Sequence, residues 1–255
     1  MQFGVCADPC DSAWLREAGA DFVEGHVQKL FAPAEESWEP AVAPEALAVP
    51  LAATNCFFPG SLKITGPDVD VEAIGAYAAR ACQRSAAMGS GIIVFGSGTA
   101  RTVPDGWPRE KAEGQLVEAM QAVGPLAVDA GVTIAMEPLQ QGESNILNTV
   151  AEGLEYMRRA DTPGISILCD FYHLAVEHEP LSNLDAAKGM LTHVHIAEPE
   201  GRVAPAPGGT DFRPFFRKLK QLGYDARISV ECKWDDLRAQ AAPTLAYLRG
   251  EWDAA

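Results

Sequence analysis

The chain has 255 residues, of which 47% are hydrophobic and 22% are charged, a composition typical of a globular protein. Its net charge of −15 argues against non-specific binding to nucleic acid or anionic membranes. No apolar run approaches the roughly 20 residues of a membrane span, and the start MQFGVCADPC lacks the pattern of a secretion signal. The six cysteines lack metal-type spacing and lie mainly in apolar runs, which predicts buried reduced thiols. We therefore expect a cytoplasmic protein.

Eight short β-rich runs follow one another along the chain, and helical patterns separate most of them. In order, these predicted strands are FGVCA (3–7), DFVEGHV (21–27), LAATNCFF (51–58), GIIVFGSG (91–98), VTIAMEP (132–138), ISILCDF (165–171), HVHIA (193–197) and RISVECK (227–233). The weakest helical pattern is in residues 31–50, which are rich in Pro and Ala. A short helix, or a loop that partly covers the barrel as a lid, is expected there.

The helical segments carry recognisable boundary signals. Residues 110–130 contain an apolar stripe at helical spacing. Thr149 followed by Glu152 predicts a capping box at the start of the next helix. Gly223 is expected to end the helix that precedes the last strand.

This alternation of strands and helices predicts an α/β fold. With 255 residues and eight units, the average unit has 255/8, or about 32, residues, which favours a closed (β/α)8 TIM barrel over an open doubly wound sheet. The first strand-helix turn, CADPCDSA, has no GxGxxG motif of a dinucleotide fold. No linker divides the chain, so residues 1–255 are expected to form a single domain.

Four polar residues stand at the carboxyl ends of the last four predicted strands: Glu137, Asp170, His195 and Glu231. The gaps between them are 33, 25 and 36 residues, and each gap accommodates one helix with its two loops. Three carboxylates and an imidazole at one sheet rim would repel one another and be poorly solvated without a partner. A divalent cation is the natural partner, so the pattern predicts a metalloenzyme.

The donor types restrict the metal. A Glu/Asp/His/Glu set is rich in oxygen, which suits Mn²⁺, Mg²⁺ or Co²⁺ and tolerates Zn²⁺, and Mn²⁺ is the ion we expect. His193 shares a strand face with His195 but lies one layer deeper, so His195 is the better ligand candidate. His193 is expected to be a hydrogen-bonded interior residue.

Several motifs resemble those of the xylose-isomerase-like TIM-barrel superfamily of sugar isomerases and epimerases. They are AMEPLQQGE, CDFYH, HVHIAEPEGR and SVECKW, in the order of the strands, and TNCFFPG and VFGSGTAR are similar to a lesser degree. The ketose 3-epimerase and hydroxypyruvate isomerase branches have the most similar motifs. The resemblance covers essentially the whole chain and is strongest over residues 132–235.

This resemblance implies roles for individual residues. Glu137, Asp170, His195 and Glu231 would be the metal ligands, and Glu137 and Glu231 would also act as acid and base on opposite faces of the substrate. Further residues would contact the sugar: Glu143, His173 and Arg202. Relatives usually carry the arginine six residues after the ligand histidine, whereas here position 201 is Gly and the arginine comes one residue later.

The expected substrate is a ketose or related keto-sugar, free or phosphorylated, and a homo-oligomer is compatible with the resemblance. Removal of a proton beside a carbonyl builds negative charge on oxygen, which a cation stabilises while a carboxylate takes the proton. Arg101 could meet a substrate phosphate. Glu24 and His26 end the second strand and could line the pocket, as could Phe57 and Phe58.

Other functions on the same scaffold remain as alternatives. A metal-dependent dehydratase (lyase) acting on an inosose- or dehydroshikimate-like ring needs the same metal and base, although some lyases that resemble this family have Gln in place of His195. An AP-endonuclease-like hydrolase, with its trinuclear zinc site, would need more than the five histidines present. A barrel that only binds a ligand would not need all four candidate metal ligands.

Overall fold

In a computed structural model, which describes residues 1–255, eight parallel strands close into one barrel in chain order. The chain therefore adopts the predicted (β/α)8 TIM-barrel fold, and each of the eight predicted strands is present. They are β1 (Gln2–Cys6), β2 (Phe22–His26), β3 (Leu51–Asn55), β4 (Ile92–Phe95), β5 (Thr133–Met136), β6 (Ile165–Asp170), β7 (Leu191–Ile196) and β8 (Arg227–Val230). β8 pairs with β1 and closes the barrel.

Nine helices lie outside the barrel or in the loops at its rim. They are α1 (Ser12–Glu17), α2 (Val27–Leu30), α3 (Val71–Ala87), α4 (Gly98–Arg101), α5 (Arg109–Ala130), α6 (Val150–Ala160), α7 (Phe171–Val176), α8 (Arg213–Leu222) and α9 (Leu237–Asp253). The capping box of Thr149 and Glu152 and the helix stop at Gly223 are confirmed. None of the helices is both long and apolar enough to cross a membrane.

Strand alternation divides the buried side chains into two layers. Outward-facing residues of the strands pack with the helices in one large hydrophobic core. Inside the barrel the apolar cluster is small and consists of Ala53, Ile92, Val94, Ala135 and Leu168. The remaining interior is notably polar, because Glu24, His193 and Ser229 are all completely buried.

The connection between β2 and β3 is built differently from the others, because α2 has only four residues. Residues 31–36, at the start of this segment, are held against α3 by Arg84, which is buried. Its Nη1 donates to the carbonyls of Phe31 and Ala32 at 2.7 Å each, and its Nη2 to those of Glu35 at 2.7 Å and Glu36 at 3.0 Å. The short helix therefore precedes residues 31–50 instead of lying within them, and the segment that follows it contains only a 3-10 turn, Pro44–Ala46.

We predict that Arg84→Met will destabilise this side of the barrel, since it leaves four carbonyl groups without their charged donor. The expected loss is about 2 kcal/mol of unfolding free energy, measured by urea denaturation. Limited proteolysis should cleave the variant first within residues 31–50, whereas Arg158→Met, on an exposed helix face, should leave the cleavage pattern unchanged. Equal protease resistance in both variants would contradict the assigned role of Arg84.

Candidate active site and metal centre

The four predicted ligand residues meet at the carboxyl-terminal rim of the barrel. Asp170 is the last residue of β6 and His195 the penultimate residue of β7. Glu137 and Glu231 directly follow β5 and β8, and their N–H groups still donate to the preceding strand, at 3.2 Å in each case. Because these positions continue the inward-facing rows of their strands, all four side chains point into the barrel mouth.

The four side chains form a compact donor set. One potential ligand atom from each lies within 4.8 Å of all the others. The Nδ1 atom of His195 is 3.1 Å from Oε1 of Glu137 and 3.3 Å from Oε2 of Glu231. Three carboxylates and one imidazole suit a hard or borderline divalent cation, so the residues present fit the predicted metal. The chemistry of this donor set does not select one ion.

Burial of the carboxylates perturbs their acidity. It raises the pKa of Glu137, and it raises that of Asp170 to about 7. Burial also acts on Glu231, but the charges of His195 and Arg202 outweigh it and lower the pKa of Glu231 to about 2. The pKa values of Glu137 and Glu231 are thus shifted in opposite directions, as in sites that need one acid and one base.

Arg202 reaches the site in spite of its one-residue offset in the sequence. Gly201 and Arg202 both adopt left-handed backbone conformations, with φ of 74° and 54°, and Lys233 N–H donates to the Arg202 carbonyl at 2.7 Å. A left-handed conformation is uncommon for a residue with a Cβ and indicates a locally constrained loop. The extra residue is absorbed by this turn, which directs the arginine back to the rim.

The Arg202 guanidinium contacts three carboxylates. It is 3.2 Å from an oxygen of Asp170 and 3.2 Å from one of Glu143, and it also pairs with Glu231. Its carbon lies 4.6 Å from the centre of the Tyr172 ring, a cation–π distance. The structure thus brings Arg202 together with the candidate metal ligands.

His173 and Glu143 lie on the same side of the site. His173 Nδ1 accepts a hydrogen bond from Gln140 N–H at 3.0 Å, which leaves the hydrogen on Nε2. That nitrogen is 3.5 Å from Asp170 and 4.0 Å from Glu143. Burial, followed by the charge of Arg202, lowers the pKa of His173 to about 3, so the ring is neutral at physiological pH.

Arg101 lies away from the rim, and the structure does not place it where a substrate phosphate would bind. The residue is completely buried, and its guanidinium donates to the carbonyls of Phe95, Glu137 and Leu147 at 3.1, 2.7 and 3.2 Å. Burial lowers its pKa to about 10, which still leaves it charged at neutral pH. Arg101 therefore holds the backbone at Glu137. Phe57 and Phe58 are likewise buried, and Phe58 also lines a cavity that opens at the rim.

Two residues that shape the site were not among the predicted site residues. Asn55, the last residue of β3, donates from Nδ2 to Oε1 of Glu231 at 3.1 Å. Gly96 lies against Glu137, since a Cβ at Gly96 would be 2.2 Å from the Glu137 carboxylate. Asn55 occupies the same strand-end position as the predicted ligands, and that position was the signal that could have identified it.

Two adjoining cavities open at this rim. The main cavity, of about 580 Å³, is lined by Glu137, Glu143, Arg202 and Glu231. The second cavity, of about 350 Å³, lies beside β1 and β2. His26, Asn55 and Cys56 line both cavities, and Glu24 lines the second.

A closed parallel barrel with a carboxylate–histidine cluster at its carboxyl-terminal rim has the architecture of a TIM-barrel enzyme. The chain belongs to the xylose isomerase-like TIM barrel family, whose model matches residues 12–250. The family predicted from the strand-end motifs is thereby confirmed.

Curated relatives are sugar epimerases. A 3-dehydro-D-guloside 4-epimerase from Escherichia coli (strain K12) is 29% identical over 169 residues, which cover 63% of this chain and 64% of that protein. A ketose 3-epimerase from Arthrobacter globiformis is 32% identical over 142 residues, covering 54% and 47%. An L-ribulose 3-epimerase from Methylomonas sp. (strain DH-1) is 35% identical over 138 residues, covering 53% and 48%. The chain thus spans less than two thirds of the length of each of these relatives.

Solved structures match over nearly the whole chain. The apo 3-keto-D-glucoside 4-epimerase from E. coli superposes with a TM-score of 0.83 at 20% identity, covering 98% of this chain and 99% of that one. The D-allulose 3-epimerase from Methylomonas sp. in complex with D-allulose gives 0.81 at 23% identity, covering 98% and 97%. At these identities the match establishes the shared fold.

We predict that Asp170→Asn will stabilise the metal-free protein at alkaline pH. Folding raises the pKa of Asp170 from 3.8 to about 7, so the folded state binds a proton between these values that the unfolded chain lacks. The cost of burying this carboxylate is therefore complete above pH 7 and declines as the pH falls. The expected gain is ~2 kcal/mol at pH 8 and smaller at pH 5.5, measured by urea unfolding in EDTA. A gain that is independent of pH would refute the assignment.

Proposed function

We propose that this protein is a divalent-metal-dependent epimerase or isomerase of a keto-sugar. The observation that carries the proposal is the rim cluster, in which Glu137 and Glu231 face one cavity together with Asp170 and His195. The epimerase names of the curated relatives support the same reaction class.

The ligands of the cation would be Glu137, Asp170, His195 and Glu231. When bound, the ion supplies positive charge next to the oxygen that becomes negative as the neighbouring carbon loses its proton. We take Mn²⁺ as the expected ion, and Mg²⁺, Co²⁺ and Zn²⁺ are also compatible with the donor set.

The two glutamates would carry the proton. Glu231 is ionised in the metal-free site, because the charges of His195 and Arg202 lower its pKa, and it would accept the proton from carbon. Glu137, whose pKa is raised by burial, is the better donor for returning a proton. Return to the opposite face of the same carbon gives an epimer, and return to the neighbouring carbon moves the carbonyl. Epimerisation needs no other change, whereas moving the carbonyl also requires the hydroxyl proton to pass from one oxygen to the other. In both cases no atom is gained or lost, so the product is an isomer of the substrate.

Three further residues would orient the sugar. Arg202 and neutral His173, through its Nε2–H, can donate hydrogen bonds to substrate oxygens, and Glu143 can accept one from a hydroxyl. The side chain of Glu143 is 38% exposed, so it is accessible from the cavity. Arg202 is the one arginine that lines the main cavity. Because Arg202 already pairs with carboxylates and no lysine lines the cavity, an unphosphorylated substrate is favoured.

The second cavity bears on the size of the substrate. It adjoins the main cavity at His26, Asn55 and Cys56, and the buried Nδ1 of His26 has no hydrogen-bond partner. A monosaccharide in the main cavity would leave this neighbouring space unfilled. We therefore favour a keto-sugar that carries a further hydroxylated group, such as a glycoside, over a free ketose.

The alternative functions are less well supported. A dehydratase would use the same metal and base but would expel a hydroxyl group, and the relatives reported above are epimerases. An AP-endonuclease-like hydrolase is disfavoured because one imidazole stands among the four candidate ligands. The net charge of −15 also opposes a nucleic-acid substrate.

We predict that Glu231→Gln will abolish turnover, since it removes the base while nearly preserving volume. Loss of a general base typically costs about 10²–10⁴-fold in kcat. The assay is solvent deuterium uptake, followed by NMR, with a panel of ketoses, keto-glycosides and inososes in Mn²⁺ or in EDTA. Glu155→Gln, on an exposed helix surface, is the control and should exchange at the wild-type rate.

Calorimetry must show that Glu231→Gln still binds Mn²⁺, so that loss of base and loss of metal are separated. Wild-type exchange that survives EDTA would exclude the metal from the reaction. Full exchange by Glu231→Gln would exclude the two-glutamate mechanism.

We predict that Ala7→Leu, which narrows the second cavity, will discriminate between substrates of different size. The kcat/KM for a keto-glycoside should fall by about 10-fold or more, the usual effect of added bulk in a fitted pocket. The value for a free ketose should stay within about twofold of the wild type. Equal effects on both substrates would mean that the second cavity does not take part in binding.

A further inference from the structure

Glu24 is a completely buried carboxylate inside the barrel, one layer below the rim. Three side chains contact it. Oε1 is 2.9 Å from Nε2 of His195, whereas Oε2 is 2.7 Å from Nε2 of His193 and 2.6 Å from Oγ of Ser229. An unpaired buried charge is costly, and these three contacts offset that cost for the Glu24 carboxylate and fix its position.

These contacts decide how the His195 ring presents its nitrogens. A carboxylate oxygen only accepts hydrogen bonds, so at 2.9 Å from Glu24 the Nε2 atom must carry hydrogen. The other nitrogen, Nδ1, faces Glu137 and Glu231 at 3.1 and 3.3 Å, so it also carries hydrogen in the metal-free site, and a cation at the rim would replace that proton. The reverse tautomer would place two lone pairs against each other at Glu24.

We infer that Glu24 is a positioning residue that fixes His195 with Nε2–H turned inward, so that Nδ1 is available to a cation at the rim. This inference rests on the metal centre of the proposed function. A carboxylate behind a ligand histidine also increases the basicity of the ligating nitrogen and fixes the orientation of its ring.

The two carboxylate oxygens of Glu24 contact different residues. His193 and Ser229 both contact Oε2 and thereby hold the carboxylate in place, which leaves Oε1 to His195. Ser229 does not contact His195 in this network. Ser229→Ala is therefore a matched control that removes one hydrogen bond from Glu24 and leaves the contact with His195 intact.

The test is the affinity of the protein for Mn²⁺ alone, measured by calorimetry on wild type, Glu24→Gln and Ser229→Ala. The neutral amide of Glu24→Gln lacks the charge, and the three donors then compete for its single acceptor oxygen. We expect Mn²⁺ binding to weaken by about 10–100-fold in Glu24→Gln, the usual effect of losing such a partner. Ser229→Ala should stay within about threefold of the wild type.

A second measurement separates positioning from a purely structural role. In Zn²⁺-loaded wild type, ¹⁵N NMR should show a hydrogen-bonded Nε2–H on His195, and in Glu24→Gln this signal should shift or exchange rapidly with solvent. A structural role alone would lower the melting temperature in EDTA and leave both the Mn²⁺ affinity and this signal unchanged. That result would overturn the inference.

The outcomes distinguish this inference from the proposed function. If the wild type binds no Mn²⁺, the metal centre itself fails. If wild type and Glu24→Gln bind Mn²⁺ equally, only the role of Glu24 fails. Should Glu24→Gln not fold, Glu24→Asp keeps the charge but withdraws it by one methylene. Unchanged Mn²⁺ affinity in Glu24→Asp would then overturn the inference.

Discussion

The burial of several negative charges at one place is the constraint on which the rest of this molecule depends. The carboxylates of Glu137, Asp170 and Glu231 meet at the rim of the barrel. Glu137 and Asp170 are almost completely buried there. Their mutual repulsion is countered by His195 and Arg202, whose positive charges lower the pKa of Glu231. A site of this kind is costly without a cation, and the proposed metal would offset that cost and so couple its binding to the stability of the protein.

The barrel makes this concentration of charge feasible by separating two kinds of burial. Stability comes mainly from the apolar layer between strands and helices, which is large and continuous. The interior of the barrel contributes less, because polar groups such as Glu24 and His193 replace much of the usual apolar filling. The candidate site residues and the apolar residues that stabilise the fold therefore lie on opposite faces of the same strands.

The sequence was sufficient for the fold and for the positions of the four rim residues, since both follow from strand periodicity. It was not sufficient for Arg202, whose place depends on a left-handed turn that absorbs one residue. Arg101 shows the opposite case. An arginine after a strand suggests an exposed anion contact, but backbone carbonyls at the end of β4 and in the loop after β5 enclose it. Such partners are distant in sequence, so local patterns did not reveal them. Glu24 was assigned only a pocket-lining position for the same reason.

The short connection after β2 has a consequence for how this protein could change over time. Most strands of the barrel are followed by a helix of ten or more residues that packs into the hydrophobic core. Beside β2, four-residue α2 and a segment fastened by Arg84 form the wall of the mouth. Residues such as Lys29 and Asp8, which border the second cavity there, are exposed and lie outside the hydrophobic core. Ligand preference on this side can therefore drift by substitution while the barrel keeps its stability.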